Sequence, residues 1–180
     1  MTGKIHVTIG VVTLAALSAK YPTGLDFNGT LILPTLSLVT AAAGSYAPDI
    51  DLGRSHSGMK HKTASKVISR VGGGHRGITH TLLVPAIVGA LMYVLPVYFS
   101  TFKAIDSFLM SLLFGWEVGY LMHLFADMFN GKGIPLFWPL FKKKVHVADF
   151  PSNGFGAWMF AIIYTAVVLC MLEFGFSIMF

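Results

Sequence analysis

The residues able to do chemistry in this chain of 180 residues fall in a few short runs. His6 stands near the beginning. Asp49 and Asp51 lie in Ala47-Pro48-Asp49-Ile50-Asp51, and His75 and His80 in Gly74-His75-Arg76-Gly77-Ile78-Thr79-His80-Thr81. His123 and Asp127 close the run Gly119-Tyr120-Leu121-Met122-His123-Leu124-Phe125-Ala126-Asp127. His123 and Asp127 are four apart, so on a helix they project from one face, one turn from each other. Asp49 and Asp51 are two apart and face one side if the chain there is extended, while Pro48 disfavours helix at Ala47 and ends the element before it. Imidazole with carboxylate suits Zn²⁺, Mn²⁺ or Fe²⁺. His6, Asp49, Asp51, His75, His80, His123 and Asp127 are enough for two ions sharing a bridging carboxylate, the arrangement used for in-line hydrolysis of phosphoesters. They also suffice for one ion whose imidazoles are oriented by outer carboxylates.

Other residues near these runs have plainer roles available. Arg76, beside His75, could clamp a phosphate or carboxylate with its planar fork. Gly72, Gly73 and Gly74 before it would let backbone approach a ligand, or serve as a hinge. Thr79 could donate a hydrogen bond or cap a helix. His56, His61 and His146 lie in polar stretches without a patterned partner and read as solvated. Glu117 sits six residues before His123, off the face shared with Asp127, and reads as a structural hydrogen-bonding group.

These groups need elements to hold them, and composition says what those are. The chain is 54% hydrophobic and 12% charged, against about 25% charged in soluble domains. A water-soluble globule of this size could not bury so much apolar surface. The expected fold class is all-α: a polytopic helical membrane protein forming a single domain over residues 1–180. A spanning helix needs about 20 mostly apolar residues. Five stretches qualify as candidates, at about residues 5–19, 30–47, 78–98, 105–129 and 155–180. The first lacks a convincing signal-peptide cleavage site before Tyr21 and carries His6, so it is kept in the mature protein. One cysteine, Cys170, excludes an intrachain disulfide.

Residues 48–77 and 130–154 form two basic loops that hold most of the Lys and Arg. With Lys4, eleven of the thirteen basic residues fall on one side of the predicted spans. The positive-inside rule makes that side cytoplasmic and gives a cytoplasmic N-terminus. His6, the Asp49/Asp51 pair, the His75/His80 pair and the His123/Asp127 pair all come at cytoplasmic ends of spans. Charge counting and ligand position therefore agree on one layer. The run Lys142–Lys144 reads as a topology signal with lipid headgroup contact. No nucleic-acid module is visible.

In combination, Pro48-Asp49-Ile50-Asp51, Gly74 to Thr81, Gly119 to Asp127 and Gly133-Ile134-Pro135-Leu136-Phe137-Trp138-Pro139, with the early His6, make a chain that resembles the LexA-regulated, inner-membrane metal-dependent hydrolases of bacteria. The match covers residues 1 to about 140. It implies a helical membrane protein with hydrolase activity. Leu52 stands where that family often has a histidine, and Thr81 where it commonly has serine. The order His6, Asp49 or Asp51, His75 or His80, then His123 and Asp127 is also similar, more distantly, to zinc-dependent phospholipase C and the related single-strand nucleases.

The expected function is a membrane-bound, metal-dependent hydrolase of the bacterial inner membrane. Its expected substrate is a phospholipid or lipid-linked phosphoester at the cytoplasmic leaflet. The cofactor would be a divalent metal, Zn²⁺ or Mn²⁺, as one or two ions. Asp49 or Asp51 would act as general base, Arg76 would stabilise phosphate charge, and Thr79 would donate a hydrogen bond. An alternative is a non-enzymatic membrane regulator or envelope stress protein with a structural metal. A transporter ranks last, because the ionisable residues lie mostly at one end of the spans.

Overall fold

The computed structural model describes residues 2–21, 23–27, 29–72, 76–99, 101–141 and 143–177. His75, Gly73, Gly74 and Lys142 lie outside the described residues.

Helix α1, Gly3–Lys20, opens the chain. A short antiparallel hairpin follows, β1 Leu25–Phe27 with β2 Thr30–Ile32, Phe27 opposite Thr30. Helix α2, Pro34–Tyr46, starts on a proline whose fixed φ suits a first helical position. A 3-10 turn, Pro48–Asp51, leads to α3, His56–Lys60, and α4, Lys62–Val71. A second 3-10 turn, Ile78–His80, precedes α5, Leu83–Phe99. The longest helices are α6, Lys103–Met128, and α7, Gly154–Ser177.

Two expectations change. The all-α reading missed the hairpin, which occupies the first residues of the second predicted span. As a result α2 has 13 residues and, at about 1.5 Å per residue, is too short for a hydrocarbon core about 30 Å thick. Among the described residues two helices have the length and apolarity to cross a membrane, Lys103–Met128 and Gly154–Glu173, with Leu83–Phe99 apolar but shorter. The extended Asp49–Asp51 pair is also corrected: both residues lie in a 3-10 turn and meet His80 at opposite ring nitrogens, Asp49 at Nε2 and Asp51 at Nδ1.

The core is a packed trio of α1, α2 and α6, with α5 against α6 and α7 against α1. The seam between α2 and α6 is made of small residues at every fourth position. Ser37, Ala41 and Ser45 on α2 meet Ser111, Gly115 and Gly119 on α6, all buried. A Cβ on Gly115 would stand 2.0 Å from the Ser37 carbonyl oxygen, and one on Gly119 would stand 2.0 Å from that of Ala41. Glycine is therefore needed for the backbones to approach this closely, the packing mode that small residues give in membranes. Ser37 Oγ donates to the Ser111 carbonyl at 2.9 Å and Ser45 Oγ to that of Gly119 at 3.3 Å, so the seam is hydrogen-bonded as well as tight. At its far end Thr30 donates to the buried Asp106. Outward, α5 and α7 expose Ile87, Leu91, Val97, Ile162, Val167 and Met171, an apolar surface that suits lipid.

Candidate metal centre

The seam continues into the chemistry. The every-fourth stripe of α6 runs Ser111, Gly115, Gly119, His123, Asp127, and that of α2 runs Ser37, Ala41, Ser45 and on to Asp49 in the 3-10 turn. Close approach of the two helices thus delivers His123 and Asp127 against Asp49. His6 arrives from the first turns of α1, held there by its buried neighbours Ile5 and Ile9. His80 arrives at the end of the second 3-10 turn.

Two overlapping sets of ligand atoms result: His6, His123 and Asp127, and Asp49, His80 and His123, with the atoms of each set within 4.8 Å of one another. Asp127 Oδ1 lies 3.4 Å from His6 Nε2, while its Oδ2 lies 3.6 Å from His80 Nε2 and 4.0 Å from His123 Nε2. Asp49 Oδ1 is 3.8 Å from Nε2 of both His80 and His123. These separations exceed hydrogen bonds. They approach the ~3.4 Å expected between two ligands each ~2.1 Å from one tetrahedral cation. The His6 and His123 rings are stacked with centroids 3.7 Å apart. Both nitrogens of His6, and Nε2 of His123, are buried with no hydrogen-bond partner among the described residues. Buried polar atoms normally find partners, and a divalent cation would supply one here. The donor set fits such an ion.

The surroundings fix the ligands. His123 Nδ1 lies 2.7 Å from the Ser45 carbonyl oxygen, so it carries the proton and donates, which leaves Nε2 a bare lone pair facing the cluster. Asp51 belongs to neither set. Its Oδ2 accepts from the Arg76 backbone N–H at 3.0 Å and from Thr79 Oγ1 at 2.6 Å, and lies 3.4 Å from His80 Nδ1. It therefore orients His80 from behind. Thr79 Oγ1 is also 3.1 Å from His80 Nδ1, and the Thr79 carbonyl accepts from Tyr120.

Arg76 holds Asp127 through Nη2 at 3.0 Å and reaches the Gly133 carbonyl through Nη1 at 3.4 Å. Its backbone φ is +61°, a conformation uncommon outside glycine and one that marks functional turns. Its Nε is buried with no hydrogen-bond partner among the described residues. The carbonyl of Gly133 is set by an antiparallel bridge between Ile134 and Val145. Of the cluster's carboxylates Asp49 is the most open, with 14% side-chain exposure against 2% for Asp127.

The structure thus brings together five of the seven expected ligands, sets Asp51 behind His80, and leaves His75 outside the described residues. His56, His61 and His146 are exposed as expected, His146 beside Asp149 at 3.1 Å. Glu117 is off the His123/Asp127 face, but its Oε2 is buried with no hydrogen-bond partner among the described residues. Residue-type reasoning missed the carbonyls of Ser45 and Gly133 and the hydroxyl of Tyr120. The fourfold spacing of small residues leading into His123 and Asp49 carried the signal for Ser45.

A family model described as YdjM inner membrane protein matches residues 1–179. Over 92 residues the chain is 42% identical to inner membrane protein YdjM of Escherichia coli K12, covering 51% of this chain and 43% of that protein. The same figures hold for inner membrane protein YdjM of Shigella flexneri. It is 34% identical over 139 residues to the uncharacterized protein YvsG of Bacillus subtilis 168, covering 77% of this chain and 74% of that one. The match to the two YdjM proteins spans less than half of their length. No solved structure matches.

Proposed function

The chain belongs to the YdjM inner membrane protein family, and from that premise we propose that it is a metal-dependent hydrolase cleaving a phospholipid or another lipid-linked phosphoester at the cytoplasmic leaflet. The observation that carries this reading is the convergence of His6, Asp49, His80, His123 and Asp127 from four separate segments into one cluster, buried but for the partly open Asp49. In this reading the centre takes Zn²⁺ or Mn²⁺, as one or two ions, and His75 completes the ligands. The eleven basic residues lie on the cytoplasmic side, with the N-terminus. LexA control, which the resemblance implies, is part of the same reading.

A bound divalent cation supplies Lewis acidity and lowers the pKa of coordinated water towards about 7. The chain's own groups do the rest. Asp127 turns one oxygen towards His6 and the other towards His80 and His123, so it faces members of both ligand sets. Asp49, the most open carboxylate of the cluster, would take the proton of the attacking water on its other oxygen, Oδ2, because Oδ1 faces His80 and His123. The Ser45 carbonyl and Asp51 keep His123 and His80 in the tautomers that leave Nε2 unprotonated. Arg76 would share its charge between Asp127 and the developing charge on a phosphoryl oxygen.

The test is metal content and turnover together. The protein is purified in mild detergent without chelator, wild type beside His123→Ala and Asp127→Ala. Elemental mass spectrometry should find one or two transition-metal ions per chain, lost in both variants along with hydrolysis of lipid phosphoesters. Metal bound without turnover on a panel of such lipids would overturn the hydrolase and leave a membrane regulator with a structural metal. No metal after reconstitution with Zn²⁺ or Mn²⁺ would overturn the centre itself.

A further inference from the structure

Helix α4 has a basic flank and an apolar flank, and a cavity lies against each. On one side a polar groove of about 350 Å³ is lined by Lys62, Lys66, Arg70 and Ser69 over a floor that includes Gly53 and Gly58, and it ends against Asp51. Lys62, Lys66 and Arg70 recur every four residues, so they form one row. None of the three forms an ion pair among the described residues. Asp51 is the acidic residue lining this groove, and it is already turned towards Arg76 and Thr79. The groove is therefore a concave surface of uncompensated positive charge, which attracts anions.

On the other side an apolar slot of about 510 Å³ is lined by Ile50, Ile68, Val84, Trp116, Tyr120 and Ala43. Both cavities share the 3-10 turn that carries Asp49, the groove reaching Asp51 and the slot reaching Ile50. The apolar flank of α4 also leaves Val67 and Val71 exposed, at 55% and 83%. A short helix with basic and apolar flanks is the signature of an element lying in the plane of a bilayer surface.

We propose that α4 reads a phosphate-bearing lipid, with the phosphate held by Lys62, Lys66 and Arg70 and one acyl chain in the slot beside Trp116. Two features commit the site to a lipid over a soluble anion. The slot is mostly apolar and adjoins the groove along the 3-10 turn and α4, Ile50 and Ile68 lining one and Asp51 and Ser69 the other, and the exposed Val67 and Val71 flank the same helix. The binding claim stands apart from catalysis; only the designation of this lipid as the substrate rests on the proposed hydrolase.

The experiment uses Trp116 as its probe. Trp138→Phe and Trp158→Phe leave it the sole tryptophan. The full chain, in neutral detergent with chelator so that no turnover occurs, is titrated with phosphatidic acid carrying brominated acyl chains, which quench nearby indole fluorescence. Brominated diacylglycerol, lacking the phosphate, is titrated in parallel. Phosphatidic acid should quench saturably, and the diacylglycerol should need a far higher concentration. Changing Lys62, Lys66 and Arg70 together to Gln should weaken phosphatidic acid by roughly 100-fold, given the contribution of each basic residue near anionic lipid, and leave the diacylglycerol unchanged. Lys66→Gln alone, on an exposed side chain, should weaken it roughly 5-fold and guards against misfolding of the triple variant. Equal quenching by the two lipids, or an unchanged triple variant, would overturn the proposal. Displacement by millimolar inorganic phosphate would reassign the groove to a soluble anion and overturn it too. Lipid binding that survives while no metal-dependent turnover is found would sink the hydrolase and leave α4 a lipid reader.

Discussion

Replacing Gly119 by alanine tests whether the α2–α6 seam sets the geometry of the metal cluster. The added Cβ would stand 2.0 Å from the Ala41 carbonyl oxygen and 2.9 Å from the Ser45 backbone nitrogen. Carbon–oxygen contacts of this kind settle near 3.3 Å, so the helices must part by about 1.3 Å. The 2.7 Å bond from His123 Nδ1 to the Ser45 carbonyl lies one turn further along the same seam. Stretched by that amount it would reach about 4 Å and cease to be a hydrogen bond. Overpacking of this size costs about 1–3 kcal/mol of stability. Loss of an imidazole's outer partner lowers metal affinity about 10- to 100-fold. Gly89, on α5, is the control: a Cβ there meets nothing within 4 Å. Gly89→Ala should leave metal affinity unchanged, with thermal stability equal or slightly higher, because alanine favours the helix. The assay is competition between purified protein and a metal-sensitive chelating dye, paired with thermal melts of the same samples. A Gly119→Ala protein that melts with wild type and binds metal as tightly would refute the reasoning, because the seam would then be shown to relax without moving His123.

Three further outcomes are expected. Asp51→Asn should keep the fold but weaken metal binding about 10- to 100-fold, since the carboxylate behind His80 is lost while the cluster's own carboxylates remain; wild-type affinity in a dye competition would contradict its orienting role. Arg76→Lys should retain metal yet lose most turnover on lipid phosphoesters, because a point charge cannot span Asp127, the Gly133 carbonyl and a phosphoryl oxygen at once; steady-state rates equal to wild type would count against it. Adding metal to the chelated protein at about 100 times its dissociation constant should stabilise the fold by about 2.7 kcal/mol, read as a rise in melting temperature that His123→Ala lacks; an equal rise in both proteins would show that the ion acts elsewhere.

Much of the site was legible because each chemical group stands next to a feature that ends or starts an element. Pro48 after α2 and the His-x-x-x-Asp spacing at the end of α6 mark Asp49, His123 and Asp127 in the sequence itself. Asp51 was harder. Its two-residue offset from Asp49 reads as a shared face only in extended chain, and the turn's tighter winding sends the two side chains to opposite nitrogens of His80. The hairpin escaped notice for a different reason. Leu25 to Ile32 is too short for periodicity to speak, and the apolar Leu31, Ile32 and Leu33 look like the start of a span. The seam could have been read from Ser111, Gly115 and Gly119, yet apolar composition alone treats those small residues as filler. The carbonyl partners Ser45 and Gly133 are contacts made by backbone, to which residue type is silent.

The buried pair Thr30–Asp106 has a consequence at the opposite end of the molecule. Asp106 and Asp127 are 21 residues apart on one helix, about 32 Å at 1.5 Å per residue, close to the roughly 30 Å of a hydrocarbon core. Each is anchored to a different part of the chain, Asp106 to the hairpin and Asp127 to Arg76. Helix α6, long and apolar enough to cross a bilayer, is therefore a strut pinned near both of its ends, unable to slide lengthwise without breaking one anchor. In a bilayer that thinned or thickened, the outer helices α5 and α7, which pack on α6 and α1, would take up the change while the cluster kept its position relative to α2.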